Sequence, residues 1–132
     1  MKTSENIRNV LASILGDTYK VINNYDAGEE IDLNGTIAIN FGTMENLRHG
    51  TENDYKCSVY INGLTLADED KDKSLIQEMF DYTCDIITSA DLTQEIDNLA
   101  GYELTNASIA SDGEINTFSV LLDMFICDFQ FN

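Results

Sequence analysis

The sequence holds one histidine, His49, in the polar run Arg48-His49-Gly50, and three cysteines, Cys57, Cys84 and Cys127. Nucleophilic catalysis needs a nucleophile, a base and a group that orients the base. No Cys or Ser here has an evident base partner, so His49 reads as a loop histidine. The cysteines form neither a Cys-x-x-Cys pair nor a zinc spacing. Each falls in an apolar pattern, which predicts buried free thiols in a reducing compartment. Asp68-x-Asp70-x-Asp72 has the first spacings of a calcium loop, but the sixth and twelfth positions are Lys73 and Met79, where such a loop wants Gly and Glu. The acidic stretch with Asp26, Glu29, Glu30 and Asp32 is a weaker metal candidate and reads as a solvated loop. With 24 acidic residues, a close carboxylate pair arises by chance and is no signal for glycosidase chemistry. No Gly-x-Gly-x-x-Gly or phosphate-binding loop occurs. The expectation is a protein without catalytic residues, metal or cofactor.

The acids face only 7 Lys and Arg, giving a formal charge of −17 over 132 residues, while the hydrophobic fraction of 43% is that of a folded protein. Such a balance lacks the basic footprint that nucleic acid or an anionic membrane requires. No apolar run approaches the ~20 residues of a membrane span, and the first residues lack a signal-peptide pattern. The charge is uneven: all seven cations lie in the first 73 positions, and the part from Ser74 onward has 11 acids and no cation.

No repeat, linker or low-complexity tract divides the chain, which predicts one domain over residues 1–132. Ile7, Val10, Leu11, Ile14 and Leu15 follow one helical face, with Thr3 or Ser4 as N-cap and Gly16 as a left-handed stop. A short strand is expected at 19–22, and alternating strands at 36–41 and 55–61. Asn34-Gly35 and Asn62-Gly63 supply turn residues, and residues 42–54 form a long polar link. Leu75, Ile76, Met79, Phe80, Thr83, Ile86 and Ile87 make the stripe of a central amphipathic helix, which Asp72 is placed to cap. Strands at 103–110 and 115–131 flank a turn at Ser111-Asp112-Gly113. In the last run both parities are apolar: Phe118, Val120, Leu122, Met124 and Ile126 on one, Leu121, Phe125, Cys127, Phe129 and Phe131 on the other. Either a bulge switches the buried parity midway, or part of the strand enters a subunit interface, for which Leu121, Phe125, Phe129 and Phe131 are the candidates. The fold class is α+β: an antiparallel sheet of five to six strands with an N-terminal helix and a central helix on one face.

That order of elements resembles the small tail-terminator and tail-completion proteins of long-tailed bacteriophages. The likeness is carried by Tyr55-Lys-Cys-Ser-Val-Tyr-Ile61, leading through Asp68 and Asp72 into the helix at 75–87. It continues through the strand at 103–110, the Asp112-Gly113 turn and the closing Phe125-Ile-Cys-Asp-Phe-Gln-Phe131. The resemblance implies a structural virion protein, assembled in the host bacterial cytoplasm. It implies a homo-oligomeric ring, commonly a hexamer, at the head-proximal end of the tail, in contact with other tail or connector proteins. A negative ring lumen would repel DNA phosphates. The acidic composition equally suits a second class, a DNA-mimicking inhibitor of the anti-CRISPR or anti-restriction kind, whose carboxylates occupy a basic nucleic-acid groove.

Overall fold

A computed structural model describes residues 2–22, 34–47 and 53–131. The acidic loop with Asp26, Glu29, Glu30 and Asp32, and His49 with its neighbours, lie outside the described residues. Strands β1 (Lys20–Ile22), β2 (Thr36–Asn46), β3 (Tyr55–Leu66), β4 (Leu99–Ser111) and β5 (Ile115–Ile126) form one sheet in the order β1-β2-β3-β5-β4. Helices α1 (Thr3–Leu15), α2 (Ser74–Ser89) and α3 (Leu92–Glu95) complete the α+β fold. The sheet is mixed, not purely antiparallel, because β1 runs parallel to β2. Parallel neighbours need a connection longer than a hairpin, and thirteen residues separate β1 from β2 in the chain.

The helical stripes fold as their periodicity dictates. Ile7, Leu11 and Leu15 of α1 are fully buried, as are Ile76, Met79, Thr83 and Ile87 of α2. α2 lies on β3 and β5, α1 on β1 and β2, and α3 against β4. Facing them, Cys57, Val59 and Ile61 of β3 and Phe118, Val120, Leu122, Met124 and Ile126 of β5 form the sheet half of the core. Tyr82 Oη donates to the Leu15 carbonyl (3.0 Å) and Tyr102 Oη to that of Ala90 (2.7 Å), so half-buried phenols tie the layers together.

Several local expectations change. Asn62-Gly63 is not a turn; it lies inside β3, opposite Ser119 and Phe118 of β5. A Cβ on Gly63 would meet Phe118 Cε1 at 2.2 Å, so the glycine makes room for the largest fully buried side chain. Gly16 closes α1 in the right-handed region (φ −78°), not the left-handed one. Neither Thr3 nor Ser4 caps that helix: Lys2 is the N-cap, and Thr3 instead exchanges bonds with Gln130 through its N–H (2.9 Å) and Oγ1 (2.8 Å). The link at 42–54 is shorter than expected, since β2 runs on to Asn46 and Leu47 N–H bonds the Asp54 carbonyl at 2.9 Å. The expected turns at Gly35 (φ 89°) and Gly113 (φ 92°) form with positive φ.

β5 ends at Ile126, five residues before the expected limit, because Asp128 enters the left-handed region (φ 53°) and turns the chain back toward α1. No bulge switches its parity. The β3–β5 register is unbroken from Tyr55 opposite Ile126 to Leu66 opposite Ile115, and burial alternates along the strand. The register shifts fall in β4, at Leu99/Gly101 and Leu104/Asn106, and in β2, at Phe41/Met44.

The Gly63–Phe118 contact gives a stability prediction. Gly63→Ala overpacks the core and is expected to lower unfolding free energy by about 1–3 kcal/mol in chemical denaturation. Adding Phe118→Leu, which vacates the ring's place, is expected to recover part of that loss; a merely additive double variant would contradict the contact.

Candidate assembly surface

The side-chain geometry begins where α2 meets the sheet. Asp70 is 4% exposed, and its carboxylate accepts from the backbone N–H groups of Leu75 (3.0 Å) and Ile76 (3.0 Å) at the start of α2. It also accepts from Thr65 Oγ1 (2.8 Å), while Asn116 Nδ2 donates to Thr65 Oγ1 and the Asp70 carbonyl, both at 3.2 Å. Thr65 and Asn116 are opposed across β3 and β5, so the knot joins two strands to one helix. Burial pushes the Asp70 carboxyl up, but the bonds from Leu75, Thr65, Ile76 and Asn116 outweigh it and hold the group below its ordinary value of 3.8.

The first turn of α2 is therefore satisfied by two carboxylates, Asp70 at Leu75 and Ile76 and the expected Asp72 at Ser74. Asp72 is exposed and accepts from Ser74 N–H at 3.1 Å; the Ser74 hydroxyl first, and then this N–H, lower its pKa. Asp68 and Asp72 face solvent while Asp70 turns inward, so the calcium-like spacing assembles no ligand set. Among the described residues no cluster of His, Cys, Asp and Glu is disposed to hold a metal. Cys57 is buried as expected, its thiol pushed up to about 11 by desolvation, and Cys84 is half-buried. Cys127 is exposed, contrary to expectation, because β5 has already ended.

Opposite the helices lies a face of the sheet that no described helix covers. It carries the odd residues of β5 and the even residues of β3, paired Leu64–Thr117, Asn62–Ser119, Tyr60–Leu121, Ser58–Asp123 and Lys56–Phe125. Two of the four interface candidates, Leu121 and Phe125, sit here, partly exposed. Polar groups interleave with them: Asp123 accepts from Ser58 Oγ at 3.1 Å and stands directly opposite Glu103 of β4, and Lys56 pairs with Glu45 at 3.5 Å. The other two candidates lie elsewhere. Phe129 is 4% exposed, stacked against Tyr55 (5.8 Å) and Phe131 (4.8 Å), while Phe131 is 50% exposed at the rim of this aromatic corner. Phe129 is thus occupied inside the protomer, Leu121 and Phe125 remain partly exposed on the uncovered face, and Phe131 is exposed apart from them at the aromatic corner.

A shallow cleft on the other side runs along α2, lined by Tyr19, Glu78, Asp81, Tyr82 and Asp85. Its phenols are already engaged, Tyr82 with the Leu15 carbonyl and Tyr19 with Glu78; burial first, and then Glu78, raises the Tyr19 pKa. Among the described residues no helix is long and apolar enough to cross a membrane.

Sequence periodicity exposed the two-faced β5 but not the Asp70 knot. Its one signal was Asn116 on the core parity of β5, a polar residue that needs buried partners.

No protein-family model and no curated protein matches the chain. Among solved structures, it is similar to a chain of the "Virion of native gene transfer agent (GTA) particle", with a TM-score of 0.47 and 10% identity, over 96% of this chain and 92% of that one.

Two predictions follow from the geometry. A folded-state pKa held below the ordinary value contributes stability that is fully present above that value and lost as pH falls through the folded pKa. Asp70→Asn removes this term and sets an amide against two N–H donors, so it is expected to cost about 1–3 kcal/mol near neutrality. The gap between parent and variant should close in denaturation series below about pH 4; a gap independent of pH would contradict the ionised carboxylate. The second concerns like charges facing across strands, which destabilise by roughly 0.2–1 kcal/mol. Glu103→Gln is expected to stabilise the protomer by that order at low salt, with the gain fading in 1 M salt.

Proposed function

We propose that the chain is a structural virion protein that acts by assembly, not catalysis, forming a ring of the tail-terminator or tail-completion kind at the head-proximal end of a phage tail. In this reading the ring, a hexamer in the family that the layout resembles, forms in the host bacterial cytoplasm and joins neighbouring tail or connector proteins.

The supporting observation is the uncovered sheet face. A sheet with helices on one side leaves the other to water, and its residues are then expected to be polar. Here the uncovered face of the central strand β5 carries Leu121 and Phe125 at alternate positions, beside Tyr60, which is 37% exposed. Apolar and aromatic side chains interleaved with Asp123, Glu103 and Lys56 suit an interface that buries the rings and pairs the charges across the contact. A closed ring would cover such a patch on every protomer. The formal charge of −17 supports an assembly that does not adhere to the DNA it surrounds.

Light scattering tests this directly. The full chain is expected to give one stable mass several times that of the protomer, and Leu121→Glu with Phe125→Glu is expected to reduce it to protomers that keep their circular dichroism. A parent chain that stays monomeric at high concentration, or joins a basic nuclease in a salt-sensitive complex, would overturn the reading.

A further inference from the structure

We propose that the outer edge of β4 pairs antiparallel with β4 of a second copy, about a two-fold axis at Ser108. β4 is an end strand of the sheet, thirteen residues long, with β5 as its neighbour. Long unpaired edges present rows of free backbone donors and acceptors, and proteins that stay monomeric blunt them with Lys, Pro, bulges or shortness. The bulges of β4 fall in its first half; from Asn106 to Ser111 the strand pairs one-to-one with Leu121 to Asn116 of β5. That half contains no Pro and no charged residue, in a chain with 31 charged side chains. Asn106, Ser108, Ile109, Ala110 and Ser111 are all exposed.

Two independent constraints bear on the register. Ala107 and Ile109 lie on the helix side of β4, opposite Val120 and Phe118, whereas Asn106, Ser108 and Ala110 lie on the uncovered side. Pairing residues of like parity keeps both helical layers on one side of the combined sheet. The nearby acids are Glu103, Asp112 and Glu114. The two unlike-parity registers next to Ser108, centred between 107 and 108 and between 108 and 109, set Glu103 against Asp112 and Glu114 respectively, which is repulsive. Centring on Ser108 avoids this: Glu103 falls opposite Gly113 and Asp112 opposite Leu104. The same register sets Ile109, 36% exposed, against Ala107 of the second copy, and Asn106 against its Ala110. A strand-to-strand contact is driven by backbone hydrogen bonds, which the net charge of the chain does not remove. It uses the sheet edge rather than the uncovered face, so it does not rest on the ring reading; it joins two protomers or two rings.

Cysteine cross-linking tests the register. In a chain carrying Cys127→Ser, Ser108→Cys places the new thiol opposite itself, and directly opposed residues of an antiparallel pair lie within the span a disulfide bridges. Under mild oxidation, Ser108→Cys is expected to form covalent dimers at least ten-fold faster than Ala110→Cys, and Asn106→Cys mixed with Ala110→Cys is expected to cross-link likewise. Separately, Ile109→Lys should halve the mass seen by light scattering without changing circular dichroism. Equal slow linking at positions 108 and 110, or a mass unchanged by Ile109→Lys, would overturn the pairing. Occupation of the edge only by a different polypeptide would do the same.

Discussion

The buried carboxylate of Asp70 is the contact on which the layering depends. Removing an ionised carboxylate from water costs several kcal/mol unless donors replace the lost solvent. Here most of the donors are close in the chain, Thr65 at the end of β3 and the first turn of α2, and Asn116 at the start of β5 comes from far along it to hold Thr65 and the Asp70 carbonyl. All must be in place together for the charge to be tolerated. The knot therefore selects one position of α2 along β3 and β5. That position decides which parity of β5 faces the helices, and so which residues are left on the uncovered side.

The same selection explains why β5 is apolar twice over. Its even residues meet α2, and its odd residues lie on a face that no described helix covers. As a strand flanked by β3 and β4 along its length, β5 has its backbone polar groups paired on both edges. Apolar side chains on the second face thus shield no hydrogen bonds that the protomer needs. They add little to its own stability, and the facing Glu103 and Asp123 subtract from it. A surface that is costly or neutral in the isolated protomer is accounted for most simply by contacts made outside it.

Much of this was legible in the sequence because periodicity is a local property. The stripes of α1 and α2, the alternation of β3 and the double apolarity of β5 follow from side-chain spacing alone. What stayed hidden depends on partners distant in the chain. Gly63 after Asn62 has the form of a turn, and only the Phe118 ring opposite reveals it as space left in the middle of a strand. Asp72 reads as the cap of α2 and does accept from Ser74, yet the inward turn of Asp70 depends also on Asn116, far along the chain. The parallel placement of β1 depends on a connection whose course no spacing encodes. Of the interface candidates, Leu121 and Phe125 fell on the uncovered face by parity, but Phe129 was drawn inward once Asp128 reversed the chain, which periodicity does not foresee.

Charge sets the terms on which such a protein can meet its own copies. At −17 per protomer, every approach is opposed at long range, and the opposition decays over about 8 Å at physiological ionic strength. Attraction between copies must therefore be short-ranged and local. The uncovered face and the β4 edge both meet that requirement, one through Leu121 and Phe125, the other through backbone donors in a half-strand without charge. Association of this kind is strengthened by salt, which screens the repulsion and leaves the contacts intact. Binding to a basic groove depends on salt in the opposite sense, since salt screens the attraction itself. The acidic composition is thus compatible with self-assembly because the β4 half-strand holds no charge and the uncovered face mixes Asp123 and Glu103 with apolar side chains and the Lys56–Glu45 pair, while the fold sends most of the C-terminal acids to α2, α3 and the turns.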